Sequence, residues 1–559
     1  MKASFPIKNQ IWTPNYLGKY WGDIVSAFGI DLFTERGSVI TGQRVGPHTT
    51  VFDTSDMNKT PSDMVEFDGY YWTFTTKVMK TSSLTNKFAK DTLTNTPTDL
   101  NDADGVVYQN KLIVSRPTDL AMLSSASGSW NKTWWTGTLG KPALQNCIHP
   151  LATMGSAHLF VGDKNNMHDI FGGDTVYLNR YTIPDTKNAL IEWIKVTSDF
   201  VYLGVKFSDD SKRKYMIVEF DPISEKAKEV YLNQEAMGFV WDDTFYIILE
   251  DGSVKVRSGS YASTPVFEKV AQFPLCRSWR RIKLPHRNGI SIYKDKPIFF
   301  LRQLSEALYD PAGIYILDKE VGIYHWGKFG YDKSYGCPLT NTSESLYGRG
   351  FLYVDKDDVI LAGASFEGTN LVYLRGVYSS AWYSSRPQNF SWIELPEIRS
   401  SELEEIWQNV AVFVEDYNQT NEVTIQYKTK HSGSMIFYGG TWSSDNTFTY
   451  SGTPSNLEVG NSVMILKGDG AGLIAHITNI NTSSKTITID KSVSGASGNM
   501  QFWIDTYKKV GAVSVKNGYE MVSFPSAPLF SPWIQVRLLI EAGRLSSVFV
   551  QHRPNNILE

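Results

Sequence analysis

The sequence predicts an all-β chain: a six- or seven-bladed β-propeller followed by a β-sandwich that carries a small inserted β-barrel. Three observations predict it. A two-strand phrase, in which an apolar strand of about five residues and a short polar turn lead into a stronger strand, recurs from Met64 to beyond Gly350. Aromatic residues make up 13% of the chain, with 16 Trp, 29 Tyr and 29 Phe, and their flat rings suit pleated, half-buried surfaces. Beyond Ser391 the rhythm stops and the apolar runs lengthen.

The phrase reads MVEFDG/YYWTFTT from Met64, GVVYQN/KLIVSR from Gly105, LATMGS/AHLFVGD from Leu151 and IKVTSD/FVYLGVKF from Ile194. It continues with GFVWDD/TFYIILEDG from Gly238, GISIYKD/KPIFFLRQ from Gly289 and GFLYVDKD/DVILAGAS from Gly350. The second strands start at Tyr70, Lys111, Ala157, Phe200, Thr244, Lys296 and Asp358, at steps of about 41 to 46 residues that widen to about 52 and 62. A lone four-stranded blade cannot bury both of its faces, so such units stack round an axis and close on themselves.

Third strands are expected at Asp119, Thr175, Tyr215, Ser253, Gly313 and Leu371, where apolar and polar residues alternate. Trp130, Trp134, Trp135, Tyr231, Phe267, Tyr324 and Trp326 fall where a fourth, outer strand belongs. Residues 1–60 form a lead-in, with strands around Ile30 and Val39 separated by the Glu35, Arg36, Gly37 turn, and this segment could complete the last blade. The propeller proper is assigned to 61–390.

The sandwich is assigned to 391–433 plus 505–559, from strands beginning at Ile406, Glu422, Val510, Pro532 and Ser546. Residues 434–504 read as an inserted five-stranded barrel, since short strands there are punctuated by Gly, Asn and Ser turns. On this reading the insertion is separable, and deleting it leaves the remainder folded.

With 559 residues, 42% hydrophobic and 20% charged, the chain has the composition of a globular protein of two or more domains. A net charge of −4 gives no overall pull toward nucleic acid or anionic membrane. Cys147, Cys276 and Cys337 lack paired spacing and read as core thiols of a protein made in a reducing compartment. No signal peptide and no bilayer-spanning run is expected.

GDGAG at Gly468 to Gly472 lacks the Lys-Ser/Thr of a phosphate loop and precedes a strand pattern, so it reads as a hairpin. DLNDADG at Asp99 to Gly105 would put Leu100 and Lys111 at calcium-ligand positions and reads as an acidic turn. Arg277, Arg280, Arg281, Lys283, His286 and Arg287, with Trp279 among them, form a basic cluster that reads as a solvated face or an inter-subunit ion-pair site. His149 and His158 read as structural, and neither sialidase turns, a G-x-S-x-G elbow nor per-blade Trp-Asp pairs occur. No catalytic, cofactor-binding or metal-ligating residue is assigned, no cofactor is expected, and no enzymatic activity is assigned.

The lead-in WGDIVSAFGIDLFTERGSVITG and the late strands EVTIQYKTK, SPWIQVRLLIEAG and SSVFVQHRP resemble the propeller-bearing tail proteins of tailed bacteriophages. In short-tailed phages the similar protein is the nozzle, a ring that continues the DNA channel below the adaptor. The resemblance implies a virion tail component assembled in the host cytoplasm. It also implies a homo-hexamer that contacts an adaptor and fibres and passes phage DNA transiently, with no catalytic residues to carry over. Such a lumen should be neutral or acidic, with the basic cluster near Arg280 away from it. The inserted barrel is expected to point outwards, toward a fibre or the host. The alternative expectation is a carbohydrate-binding tail fibre or adhesin, or a propeller glycan hydrolase, though no fibrous or coiled-coil stalk is visible in the sequence.

Overall fold

The computed structural model describes residues 2–6, 26–28, 30–31, 43–45, 48–51, 61–83, 88–100, 102–184, 189–208, 215–273, 282, 284–301, 313–318, 322–329, 346–347, 351–357, 360–366, 371–376, 391–395, 397–399, 405–415, 422–430, 438–470, 473–513, 517–525, 529–542 and 544–554.

Six consecutive antiparallel meanders make a six-bladed propeller arrangement, with innermost strands Met64–Phe67, Gly105–Tyr108, Leu151–Met154, Ala189–Val196, Ala236–Trp241 and Ile290–Tyr293. A further meander, Leu352–Val354, Ile360–Phe366 and Leu371–Gly376, lies between the sixth blade and the first. The hairpins leaving the innermost strands show why the phrase was legible. Asp68 and Gly69, Gln109 and Asn110, Asp242 and Asp243, and Lys294 and Asp295 all have positive φ, the backbone of a two-residue turn whose twist matches the flanking strands.

The second strands are apolar without alternation because both faces of each blade are covered. In Lys111–Ser115, Leu112 and Val114 pack with Trp72 and Phe74 of the first blade, while Ile113 packs with Leu159 and Val161 of the third. In Thr244–Leu249, Phe245 and Ile247 face Tyr202 and Ile217 of the fourth blade, and Ile248 faces Phe299 and Leu301 of the sixth. Met64, Met79 and Phe88 meet Phe351 and Leu361, which closes the ring. Burial of this kind stabilises by roughly 25 cal/mol per Å² of apolar surface.

Two expectations fail within the blades. In the second blade Trp130, Trp134 and Trp135 do not form an outer strand: its sheet has three strands, and Trp134–Thr138 is a π-helical turn with both tryptophans buried. The large indoles gain more by filling the gap beside Tyr108 and Ile113 than an edge strand would gain. In the third blade Thr175–Thr182 is the fourth strand, because Asn166–Phe171 supplies the third. His168 and Asp169 of that strand are both buried.

The lead-in divides between two units. His48–Val51 pairs in parallel with Gly322–Phe329 and antiparallel with Leu371–Gly376, joining the sixth blade to the further meander. Lys2–Pro6 and Gln43–Val45 instead pair with Arg544–Pro554, and Ser26–Phe28 pairs with Ser391–Glu394. The Glu35 to Gly37 turn lies outside the described residues.

Beyond the propeller, Glu405–Glu415, Asn517–Ser523 and Arg544–Pro554 form one sheet, and Ser391–Glu394, Trp533–Ala542, Glu422–Lys428 and Asn499–Val513 belong to another. Trp407, Val410 and Val412 from the first meet Val423, Ile425, Val536 and Leu538 from the second in one core. The run expected as one strand from Val510 is two strands. The barrel closes with six strands rather than five: Tyr438–Ser444, Thr447–Tyr450, Thr486–Ile489, Ile474–Asn481 and Asn461–Lys467 complete a ring through Asn499–Val513. That last strand, 15 residues long, runs on into the sandwich, so a boundary at Ile504 falls inside a continuous strand. Among the described residues no helix is long and apolar enough to cross a membrane.

Candidate functional site

The entrances of the innermost strands bring a group of buried charges together. Asp63 precedes Met64–Phe67, Asp102 and Asp104 precede Gly105–Tyr108, and His286, Arg287 and Asn288 precede Ile290–Tyr293. Arg287 Nε donates to Asp104 Oδ1 at 2.7 Å, Nη1 to Asp102 Oδ2 at 3.1 Å and Nη2 to the Asp102 carbonyl at 2.6 Å. His286 Nδ1 accepts from the Asn288 N–H, so its Nε2–H donates to Asp102 Oδ1 at 3.1 Å. Asn288 Nδ2 donates to Asp104 Oδ1 and to the Ser62 carbonyl, and the Leu151 N–H donates to Asp104 Oδ2.

Lys195 of the fourth blade reaches the same place, its Nζ donating to the Arg287 carbonyl at 2.9 Å. The second and sixth blades are not neighbours, so these contacts tie together blades that do not pack side by side.

The electrostatics follow from burial. Burial opposes ionisation of Asp102, but Arg287 and His286 hold its carboxyl well below the usual range. Asp63 has two backbone N–H donors, Met64 at 2.8 Å and Gly105 at 2.9 Å, against burial and the neighbouring Asp104. Burial and then Asp104 win, and its pKa is pushed up to about 8. Burial lowers the Lys195 pKa. All three nitrogens of the Arg287 guanidinium and both oxygens of Asp102 and Asp104 are engaged, so the arrangement locks blades together.

This corrects two readings of the sequence. DLNDADG is neither a calcium loop nor a plain turn, because Asp102 and Asp104 are buried counter-ions. His286 and Arg287 belong to neither a solvated face nor an inter-subunit site; their partners lie in the same chain, 184 and 183 residues away. Arg277, Trp279, Arg280, Arg281 and Lys283 lie outside the described residues, as do Cys276 and Cys337. Within GDGAG, Gly468 and Gly470 have positive φ, Ala471 and Gly472 lie outside the described residues, and the Trp442 indole N–H donates to the Asp469 carbonyl, which packs this loop onto the barrel.

Cys147, His149 and Asp163 place one potential ligand atom each within 4.8 Å of one another. The donor set does not suit a metal ion. His149 faces the Gly162 carbonyl with Nδ1 at 2.9 Å and the Pro117 carbonyl with Nε2 at 3.1 Å, so both ring nitrogens are directed at backbone oxygens rather than at a shared ligand position. His168 Nδ1 accepts from the Asn179 N–H, which leaves Nε2–H to donate to Asp163 at 3.4 Å. Burial pushes the Cys147 thiol up to about 11. His158 donates to the buried carboxylate of Asp169 at 3.0 Å, a contact between adjacent strands of one blade.

No family model and no curated protein matches the chain. Among solved structures it is similar to the computationally designed Ika8 protein, with a TM-score of 0.34 and 9% identity, covering 62% of this chain and 96% of that one. The WD40 domain of Neurospora crassa Pan2 gives a TM-score of 0.37 and 13% identity, covering 60% of this chain and 95% of the other. The extracellular domain of the hybrid two component system BT4673 from B. thetaiotaomicron gives a TM-score of 0.41 and 11% identity, covering 81% of this chain and 62% of that one. At these identities the likeness concerns fold and nothing else.

Proposed function

We propose that the protein is a structural component of a bacteriophage tail, a nozzle-type ring protein that continues the DNA-ejection channel and anchors neighbouring tail proteins or fibres. One observation carries the reading beyond the resemblance of the lead-in and late strands. The N-terminal strands are shared out, Lys2–Pro6 and Gln43–Val45 to the sandwich and His48–Val51 to the propeller, so one segment fastens both units. A part that transmits load in an assembly benefits from such double fastening. The Arg287 contacts between non-adjacent blades refine the reading: DNA would pass along an axis between copies rather than through each propeller. The working unit is then a homo-hexamer below an adaptor, in the virion, built in the host cytoplasm.

The test is the mass and rotational symmetry of the purified protein, by light scattering and electron-microscope class averages, repeated on virion-derived particles if the free chain is monomeric. A sixfold ring with an open axis upholds the proposal. A monomer or a trimer in both settings overturns it, and binding on a glycan array would then favour the carbohydrate-binding reading.

A further inference from the structure

The barrel meets the sandwich through a chain of buried polar groups. Arg537, on Trp533–Ala542, donates from Nη1 to Asp505 Oδ2 at 3.0 Å and from Nη2 to Ser462 Oγ at 3.2 Å. Its Nε donates to Gln426 Oε1 at 2.6 Å. That bond fixes the amide orientation and turns Gln426 Nε2–H toward His476 Nε2 at 2.7 Å. The imidazole nitrogen there must accept, so the ring proton sits on Nδ1, which faces Asp490 Oδ2 at 3.3 Å. Asp490 Oδ1 also accepts the His476 backbone N–H at 2.7 Å, and its Oδ2 pairs with Lys509 at 2.9 Å. Gln426, His476, Ser462, Asp505 and Arg537 are all at most 5% exposed.

We infer that this relay is a proton-sensitive fastening: protonating His476 unfastens the barrel from the sandwich. A proton added at Nε2 sets an N–H against the Gln426 amide N–H₂. Turning that amide over gives the imidazolium an acceptor but places the N–H₂ against Arg537 Nε–H instead. Either way two donors face each other in a buried site, where an unsatisfied polar group is costly. The charges around the ring come from several elements. Asp490 follows Thr486–Ile489, Lys509 and Asp505 lie on Asn499–Val513, and Arg537 comes from the sandwich; Ser462, opposite His476 on Asn461–Lys467, is neutral. Asp490 favours an imidazolium, but burial, Lys509 and Arg537 oppose it, and the net effect lowers the His476 pKa. The fastening therefore holds at neutral pH and gives way below the ordinary histidine range. It does not depend on the tail reading.

The test uses the full chain in hydrogen exchange followed by mass spectrometry from pH 7.5 to 4.5, with rates corrected for the intrinsic pH dependence. Wild type should lose protection in Thr447–Tyr450, Ile474–Asn481 and the first half of Asn499–Val513 at a higher pH than in Glu405–Glu415 or the blades. His476→Gln, which supplies an uncharged acceptor to Gln426, should abolish that selective loss. Gln426→Glu, whose carboxylate accepts from both Arg537 and an imidazolium, should shift the loss to lower pH or remove it; this second variant keeps the test decisive if the first does not fold. Unchanged protection in wild type down to pH 4.5 would overturn the inference, as would the same midpoint in both variants, or simultaneous loss across barrel, sandwich and propeller.

Discussion

Truncating Arg287 would strip the cation from two buried carboxylates at once. Arg287→Ala should lower unfolding free energy by about 3–5 kcal/mol in denaturant titrations, because an uncompensated buried charge is what costs. Arg287→Lys should recover only part of this, since an ammonium cannot engage Asp102 and Asp104 through a planar fork. Asp63 gives a pH dependence of definite sign. Its folded pKa, about 8, lies above the ordinary aspartate value of 3.8, so its contribution is full below 3.8 and is lost as pH rises through about 8. Melts at pH 5, 7 and 9 should show that decline, by at most ~1.4 kcal/mol per pH unit, and Asp63→Asn should flatten it. Glycine matters where blades meet closely. A Cβ on Gly238 would lie 2.5 Å from Trp193 Cη2 and 2.9 Å from Phe245 Cε2, so Gly238→Ala should cost roughly 1–3 kcal/mol by overpacking, read as a lower melting temperature.

At the scale of elements, strands bounded by two-residue turns were legible because turn chemistry and apolar runs are both local. GVVYQN/KLIVSR became Gly105–Tyr108, a turn at Gln109 and Asn110, and Lys111–Ser115. Asn166–Phe171 was missed because its polar residues find buried partners elsewhere, His168 with Asp163 and Asp169 with His158. The barrel's sixth strand was missed for a different reason: one strand serves both barrel and sandwich, and nothing along a continuous strand marks the handover. Deleting 434–504 would remove Ser462, His476 and Asp490 and leave Arg537, Gln426 and Lys509 short of partners. The deleted protein should melt well below wild type by circular dichroism; an unchanged melting temperature would show the barrel to be separable after all.

For the whole molecule, the blades form a ring whose closure depends on the far end of the chain order. Removing residues 1–51 deletes the strand between the sixth blade and the further meander together with the strands on Arg544–Pro554. Limited proteolysis of that truncation should cut both propeller and sandwich faster than in the full chain, whereas cuts confined to one unit would show that the segment fastens only that one.

The sequence by itself determined the all-β class, the repeating propeller units and the change to longer strands near residue 391, because each rests on local periodicity and turn residues that the chain carries wherever it folds. Only the tertiary structure decided where the charges of the candidate site go. Asp102 and Arg287 are 185 positions apart, and their meeting depends on ring closure bringing two strand entrances together. The same holds for Gln426 and His476, 50 positions apart, which meet because a strand of the barrel continues into the sandwich. Long-range pairing of polar groups is set by which surfaces burial brings together, and no local pattern encodes it.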